Sequence, residues 1–330
     1  MSILVTGGTG YIGSHTSVEL IKQGYDIVIA DNLSNSKADV IDKIEKITGK
    51  RPAFYQVDIL DRAGLENIFS AHNIDAIIHF AGKKAVGESV QQPLMYYHNN
   101  ITGTINVLEA MLKFGCRKFV FSSSATVYGV PKTVPIKEDF PLSATNPYGS
   151  TKLYIEGILK DLYVANPSLS ITLLRYFNPI GAHESGLIGD NPNGIPNNLM
   201  PYITRVAKGT LPYLNVFGND YPTHDGTGVR DYIHVIDLAR GHIKAIEHMD
   251  QPGVKVYNLG TGKGYSVLDI VHAFEKVNGI KIPYQFTARR PGDVAECYAD
   301  PTKAKEELGW TAEYGLEEMC RSAWNFEKNQ

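Results

Sequence analysis

The sequence predicts an α/β fold built on a doubly wound parallel sheet, followed by a smaller C-terminal α/β lobe. Three observations carry this. Short β-branched runs alternate with helix-length amphipathic stretches through the first half. A glycine-rich turn joins the first run to the first helix. Beyond about Asn178 the texture changes to long segments rich in Gly, Asn and Pro. A length of 330 residues accommodates two domains at about 150 residues each. The division expected is 1–178 and 179–330.

The elements follow in order. Residues 3–5 form the first strand, and a helix runs from the glycines to Gly24, which can take the left-handed geometry of a helix end. Later strands are expected at 26–30, 53–57, 76–80, 118–122 and 171–175. Each parallel return needs a crossover helix, so both faces of the sheet are covered. The irregular segments 181–201 and 218–231 are longer than compact domains usually tolerate unless they bind something, which makes the second half a substrate lobe. Residues 254–259 again read as a buried strand, placed to rejoin the first sheet.

Composition excludes several classes. Lys and Arg number 32 against 35 Asp and Glu, a net charge of −3, so a basic nucleic-acid or membrane-surface binder is not expected. No run of 18 apolar residues offers a membrane span. Cys116, Cys297 and Cys320 are too few and too scattered for a disulfide framework or a metal knuckle. The start Met1-Ser2-Ile3-Leu4-Val5 lacks the regions of a signal peptide. A cytoplasmic protein is therefore expected. The ten histidines show no metal-ligand spacing, and no metal is expected.

Thr6-Gly7-Gly8-Thr9-Gly10-Tyr11-Ile12-Gly13 fits Gly-x-Gly-x-x-Gly at 8, 10 and 13 and Gly-x-x-Gly-x-x-Gly at 7, 10 and 13. Such glycines let the backbone approach a pyrophosphate resting on the helix N-terminus. The motif alone also describes an ordinary glycine turn; the strand–turn–helix context makes it a Rossmann dinucleotide site. Asp31, 18 residues after Gly13, closes the second strand, where a carboxylate accepts the ribose hydroxyl protons and repels a 2′-phosphate. This favours NAD over NADP, with Lys37 the one nearby basic residue. Asp58-Ile59 is placed at the adenine edge, or Asp58 is simply a turn or cap residue.

Ser122-Ser123-Ser124 ends a strand at the edge where ligands of open α/β sheets bind. Downstream, Tyr148 and Lys152 are four apart and share a helix face. A free phenol has a pKa of about 10, and a neighbouring ammonium together with a positive nicotinamide ring favours its anion. Lowering it by about three units, roughly 4 kcal/mol, makes Tyr148 a general base at neutral pH. A surface pair on an amphipathic helix is the plain alternative.

These residues resemble the extended short-chain dehydrogenase/reductase superfamily and, within it, the UDP-glucose (UDP-galactose) 4-epimerases. The likeness runs nearly end to end. It includes His79-Phe80-Ala81-Gly82-Lys83-Lys84-Ala85-Val86-Gly87-Glu88-Ser89, the FSSSATVYG run at 121–129 and LRYFNP at 174–179. It continues through GIPNNLMP at 194–201 and FGNDYPTHDGTGVRDYIH at 217–234. The resemblance implies Tyr148 as acid and base, Ser124 on the reacting hydroxyl, and Lys152 on the nicotinamide ribose. It implies a tightly held NAD lined by Asn32, Leu33, Ser34, Asn35, Ser36, Phe80, Ala81, Gly82, Lys84, Asn99 and Phe177. Tyr176, Asn178, Asn198, Leu199, Asn215, Val216 and Phe217 would hold the UDP-hexose. Arg230 and Arg290 would clamp its diphosphate, as guanidinium geometry suits, and Asp293 would meet the uridine ribose. For Arg290, in the Arg289-Arg290-Pro291-Gly292-Asp293 turn, a solvated charge cluster is the alternative.

The reaction implied is inversion at C4 of a UDP-hexose through a 4-keto sugar that turns within the site while NAD takes and returns hydride. A related 4,6-dehydratase would place Thr-Asp-Glu where this chain has Ser124-Ala125-Thr126. A non-catalytic NAD sensor on the same fold would not need Tyr148 and Lys152. Cys297 falls where the family often carries a bulky tyrosine, which predicts room for UDP-N-acetylglucosamine and UDP-N-acetylgalactosamine; a buried structural cysteine is the alternative. The helices expected at 94–112 and 148–163 keep apolar outer faces, resembling the pair through which the family forms homodimers. Packing against the chain's own second lobe is the other use for those faces.

Overall fold

The computed structural model describes residues 1–194, 196–290 and 292–330; Ile195 and Pro291, which fall within two of the motifs above, lie outside the described residues. The first half alternates as the sequence pattern requires. It comprises β1 (Ser2–Thr6), α1 (Tyr11–Lys22), β2 (Asp26–Asp31), α2 (Asp39–Thr48), β3 (Ala53–Gln56), α3 (Arg62–Ala71) and β4 (Ala76–His79). Two short helices follow, α4 (Val86–Gln91) and α5 (Pro93–Tyr97), and a wider turn of helix at His98–Thr102 leads into α6 (Gly103–Lys113). The helix expected at 94–112 is thus one rod with a local loosening at its middle. Then come β5 (Lys118–Ser124), a 3₁₀ turn at Ala125–Tyr128, α7 (Pro147–Ala165) and β6 (Ser170–Tyr176).

The second half supplies β7 (Asn178–Ile180), α8 (Leu199–Ala207), β8 (Leu214–Phe217), β9 (Val229–His234), α9 (Val235–Glu247), β10 (Gly253–Leu259) and β11 (Gly264–Ser266). It ends with α10 (Val267–Asn278), β12 (Tyr284–Thr287), β13 (Glu296–Cys297), α11 (Thr302–Leu308) and α12 (Leu316–Glu327).

Seven strands form one parallel sheet in the order β10-β6-β5-β4-β1-β2-β3. The order reverses at β1, whose neighbours are β2 and β4, and a ligand crevice opens at such a switch point. The strands are short and buried on both faces, since Ile3, Val5, Ile29 and Ile78 pack under α1 and α9 while Leu4, Ile77, Phe119 and Leu173 pack under α3, α6 and α7. The chain does return to the first sheet: β10 pairs with β6 in parallel register from Gly253↔Ser170 to Leu259↔Tyr176. Helix α9 joins it on the face shared with α1. A second core gathers α8, α10 and α12 around Ile203, Val216, Phe274 and Met319. Among the described residues, no helix is long and apolar enough to cross a membrane.

Candidate active site

The glycine turn sits at the switch point between β1 and α1. Gly7 has φ +72°, and a Cβ there would lie 2.8 Å from the Ala81 nitrogen in the loop after β4. A Cβ at Gly13 would lie 2.2 Å from the Gly7 carbonyl. Side chains are thus excluded by backbone on two sides. Gly10, the N-cap of α1, brings no side-chain cap to the first N–H groups, which leaves donors and the positive helix end free for a phosphate.

Asp31 is buried at the end of β2. It accepts from the Thr9 nitrogen at 3.1 Å, the Leu33 nitrogen at 2.9 Å and the Ser36 hydroxyl at 3.2 Å. Leu33, with φ 60°, turns the chain so that this wrap is possible. A carboxylate has about four acceptor positions, so one remains for a ribose hydroxyl. The cradle and the carboxylate therefore fit a dinucleotide. Asp58 accepts from the Leu60 nitrogen and the Asn32 amide, 2.8 Å each, which gives it the turn role as well as a place beside the 32–36 loop. Two candidates present backbone rather than side chain. The Tyr11 hydroxyl is spent on the Gly181 carbonyl at 2.7 Å, and Ile59 is packed against Gly103 of α6.

The loop after β4 carries Phe80, Ala81, Gly82 and Lys84 beside the glycine turn. Asn100 braces it, accepting from the Lys83 nitrogen at 2.8 Å and donating to the Lys83 carbonyl and the Thr151 hydroxyl, 3.0 Å each. Asn99 in turn donates to Asn100. Sequence reading singled out Asn99 and missed Asn100 and Thr151, because their partners lie 17 and 51 residues away.

At the ends of β5 and β6 the second group assembles. Asn146 caps α7, its Oδ1 accepting from the Gly149 nitrogen at 2.9 Å, and Pro147 occupies the first turn. This phases Tyr148 and Lys152 inward, and both are buried. Lys152 Nζ donates to the Ser122 carbonyl at 2.7 Å and stands 4.8 Å from the centre of the Phe121 ring. Ser124 accepts from the Thr126 nitrogen at 3.2 Å. Burial pushes the Tyr148 phenol above its ordinary value while the Ser124 hydroxyl draws it down. Burial also lowers the Lys152 ammonium to about 8, opposed by the Glu156 carboxylate. The acidification of Tyr148 expected from sequence joins the Lys152 ammonium with a positive nicotinamide ring, and without that ring desolvation of the phenolate prevails over Ser124. The Lys152 ammonium spends one of its three donors on the Ser122 carbonyl and keeps two.

The substrate candidates lie on β6, β7, β8, β9 and β13, at the start of α8 and in the loop before β13. Phe177 is buried and Asn178 exposed at the β6–β7 junction. Asn198 donates to Asp190 at 3.2 Å, with Leu199 starting α8. Asn215 accepts from Gln285 at 2.9 Å. Val216 is wholly in the second core, so it too can offer only backbone. Asp293 joins the two arginines: Arg290 Nε donates to it at 3.0 Å and Arg230 Nη2 lies 3.6 Å away. The Arg290 guanidinium sits 4.8 Å from the centre of the Phe217 ring, an aromatic face beside paired cations. Asp293 thus lies between the two guanidinium groups. Cys297 stands opposite Arg230 in the β13–β9 register, packed against the cluster of Val127, Tyr128, Ile136, Phe177 and Ala299.

Two features escaped the sequence. Ligand atoms of His224, Asp225 and Asp269 lie within 4.8 Å of one another, but Asp225 serves Thr227 and Ser266, and Asp269 completes the capping box of α10. Behind Lys152, Glu156 and Arg175 form a buried ion pair at 2.6 Å.

A glycine turn at a switch point and a buried Tyr–Lys pair at the adjoining strand ends define a dinucleotide-dependent protein of the short-chain dehydrogenase/reductase type. Residues 4–323 match the GDP-mannose 4,6 dehydratase family. The UDP-glucose 4-epimerase of Bacillus subtilis (strain 168) is 63% identical over 330 residues, covering 100% of this chain and 97% of that one. The crystal structure of UDP-glucose 4-epimerase from Bifidobacterium longum in complex with NAD+ and UDP superposes with a TM-score of 0.97 at 54% identity, covering 100% and 98% of the two chains. That of the Stenotrophomonas maltophila UDP-glucose 4-epimerase with bound NAD and formylated UDP-arabinopyranose gives 0.98 at 51% identity, with the same coverage. The chain belongs to the UDP-glucose 4-epimerase family.

Proposed function

We propose that this protein interconverts UDP-glucose and UDP-galactose by reversible inversion at C4, using NAD. One observation separates this from elimination chemistry. The strand end carrying Ser124 continues as Ala125 and Thr126, so the site supplies hydroxyls and a phenol for the C4 hydroxyl but no carboxyl group there to remove water from the sugar.

Tyr148 takes the proton from O4 and later returns it, and Ser124 holds the same oxygen through its hydroxyl. Lys152 orients the nicotinamide ribose. The glycine turn at Gly7, Gly10 and Gly13 receives the pyrophosphate, Asp31 the adenosine ribose, and Phe80, Ala81 and Phe177 flank the ring end. NAD, when bound, supplies the hydride acceptor and, through its positive ring, the charge that makes the phenolate accessible. Arg230 and Arg290 hold the diphosphate strongly while the sugar has only neutral partners, so the sugar can present its other face without leaving. Incubation with UDP-galactose should yield UDP-glucose; a 4-keto-6-deoxy product, or no conversion, would overturn the assignment.

The sugar pocket extends to acetamido substrates. Cys297 is small and packs against the cluster that contains Phe177, whereas the ring of the neighbouring Tyr298 lies against Gly264. Cys297→Tyr should abolish turnover of UDP-N-acetylgalactosamine while turnover of UDP-galactose persists, measured by product chromatography. Equal loss of both would remove the gate.

The protein is proposed to act as a homodimer through α5, α6 and α7. Leu94 is 81% exposed and Tyr154 53%, and Tyr97 stacks on Tyr154 across α5 and α7. An apolar face of this kind suits a four-helix contact. Sedimentation at twice the chain mass, 36.4 kDa each, checks this; a monomer at micromolar concentration would refute it.

A further inference from the structure

Helix α7 carries three polar residues at four-residue spacing on one buried face: Tyr148, Lys152 and Glu156. The first two face the site. Glu156 lies one turn deeper, fully buried, and the mechanism above does not use it. Its Oε1 accepts from the Ser123 hydroxyl of β5 at 2.6 Å and from Arg175 Nε of β6 at 2.9 Å. Its Oε2 accepts from Arg175 Nη2 at 2.6 Å. Arg175 Nη1 continues to the Tyr128 hydroxyl and the Glu138 carbonyl, both at 3.0 Å, and Tyr128 donates to Asn258 of β10 at 2.7 Å. The carboxylate therefore ties the catalytic helix to β5 and β6 directly, and Arg175 and Tyr128 extend the network to β10.

We infer that Glu156 is a positioning residue for the reaction: its carboxylate fixes the phase of α7 against β5 and β6, and its charge keeps Lys152 an ammonium. This rests on the epimerase reading of Tyr148 and Lys152. The electrostatics follow from counting the groups around Lys152. On its own helix stand Tyr148, neutral, and Glu156; Lys160 reaches Glu156 only from the surface, at 4.0 Å. Strand β5 offers serines, and β6 offers Arg175 and Tyr176. His79 of β4 and His242 of α9 are buried and lowered by desolvation to about 3 and about 4, so neither is charged at neutral pH. The acidic Glu88 of α4 is bonded to Tyr96 of α5, and the Glu138 carboxylate is turned to the Asn258 nitrogen. Arg175 does not lose its proton in proteins. Without the Glu156 charge, two buried cations would share one region, and Lys152 is the one able to neutralise.

The test uses protein labelled with ¹³C at lysine Cε, with the Lys152 signal assigned through Lys152→Met. Glu156→Gln should lower the Lys152 titration midpoint by about one pH unit or more, and the alkaline limb of kcat for UDP-galactose should move with it while KM changes less than about twofold. A midpoint and limb that stay in place would overturn the inference. Should Glu156→Gln fail to fold, Glu156→Asp decides: it keeps the charge but shortens the reach, so an unmoved midpoint with kcat reduced about tenfold supports the positioning role, and an unmoved kcat overturns it. Wild-type protein inactive on UDP-galactose would refute the epimerase reading, yet leave the titration of Lys152 to judge Glu156 on its own.

Discussion

Tyr148→Phe is expected to turn over UDP-galactose about 10³-fold more slowly than the wild type, or worse, while folding normally and retaining NAD. The substitution removes one oxygen and nothing that holds the fold. Among the described residues, Ser124 is the partner that meets that hydroxyl, and it keeps its bond to the Thr126 nitrogen. What is lost is the group that moves the O4 proton, and positioned acid–base catalysis contributes about 10²–10⁴-fold. The position makes substitution by another base difficult. Lys152 donates to the Ser122 carbonyl as an ammonium, with no lone pair to offer, and the half-buried Tyr176 phenol is pushed up by desolvation. The measurement is kcat in a coupled UDP-glucose assay, with thermal unfolding and bound-NAD absorbance as controls. Turnover within tenfold of the wild type would remove Tyr148 from its role.

Arg175→Ala is expected to cost about 3–5 kcal/mol of stability, because it breaks a buried ion pair and leaves one charge behind. The Arg175 side chain is 2% exposed and the Glu156 side chain 0%. Truncation leaves a carboxylate in the interior with Ser123 as its remaining close partner, together with an unpaired Tyr128 ring face that Arg175 now covers at 5.0 Å. Arg175→Lys should fall between alanine and wild type, because an ammonium restores the charge but not the two-pronged bond. Urea unfolding at pH 7 ranks the three. An alanine variant within about 1 kcal/mol of the wild type would show that the pair is relieved by rearrangement and contributes little.

Much of the fold was legible because its determinants are local. Alternation of β-branched runs with amphipathic stretches is a property of neighbouring residues, and so are Pro147 at a helix start and the helix-terminating Gly24. The glycine turn was legible for the same reason: its glycine spacing is local, and Gly7 takes φ +72°, which favours glycine. The strand near 254–259 was visible as a strand, and its place beside β6 is a matter of long-range pairing.

The sequence by itself determined the layered α/β plan, the Tyr148–Lys152 face and the acidic end of the second strand, since each depends on residues within a few turns of one another. Only the tertiary structure decided which atoms are left over once the chain has closed. It turned the Tyr11 hydroxyl to Gly181 and buried Ile59 and Val216, leaving their backbones. It joined Arg230 and Arg290 through Asp293, and it set Glu156 behind Lys152 with Arg175 as partner. These are competitions for hydrogen bonds and burial between groups far apart in the chain, and long-range packing settles them because a polar group that loses water must find whichever partner the fold brings within 3 Å.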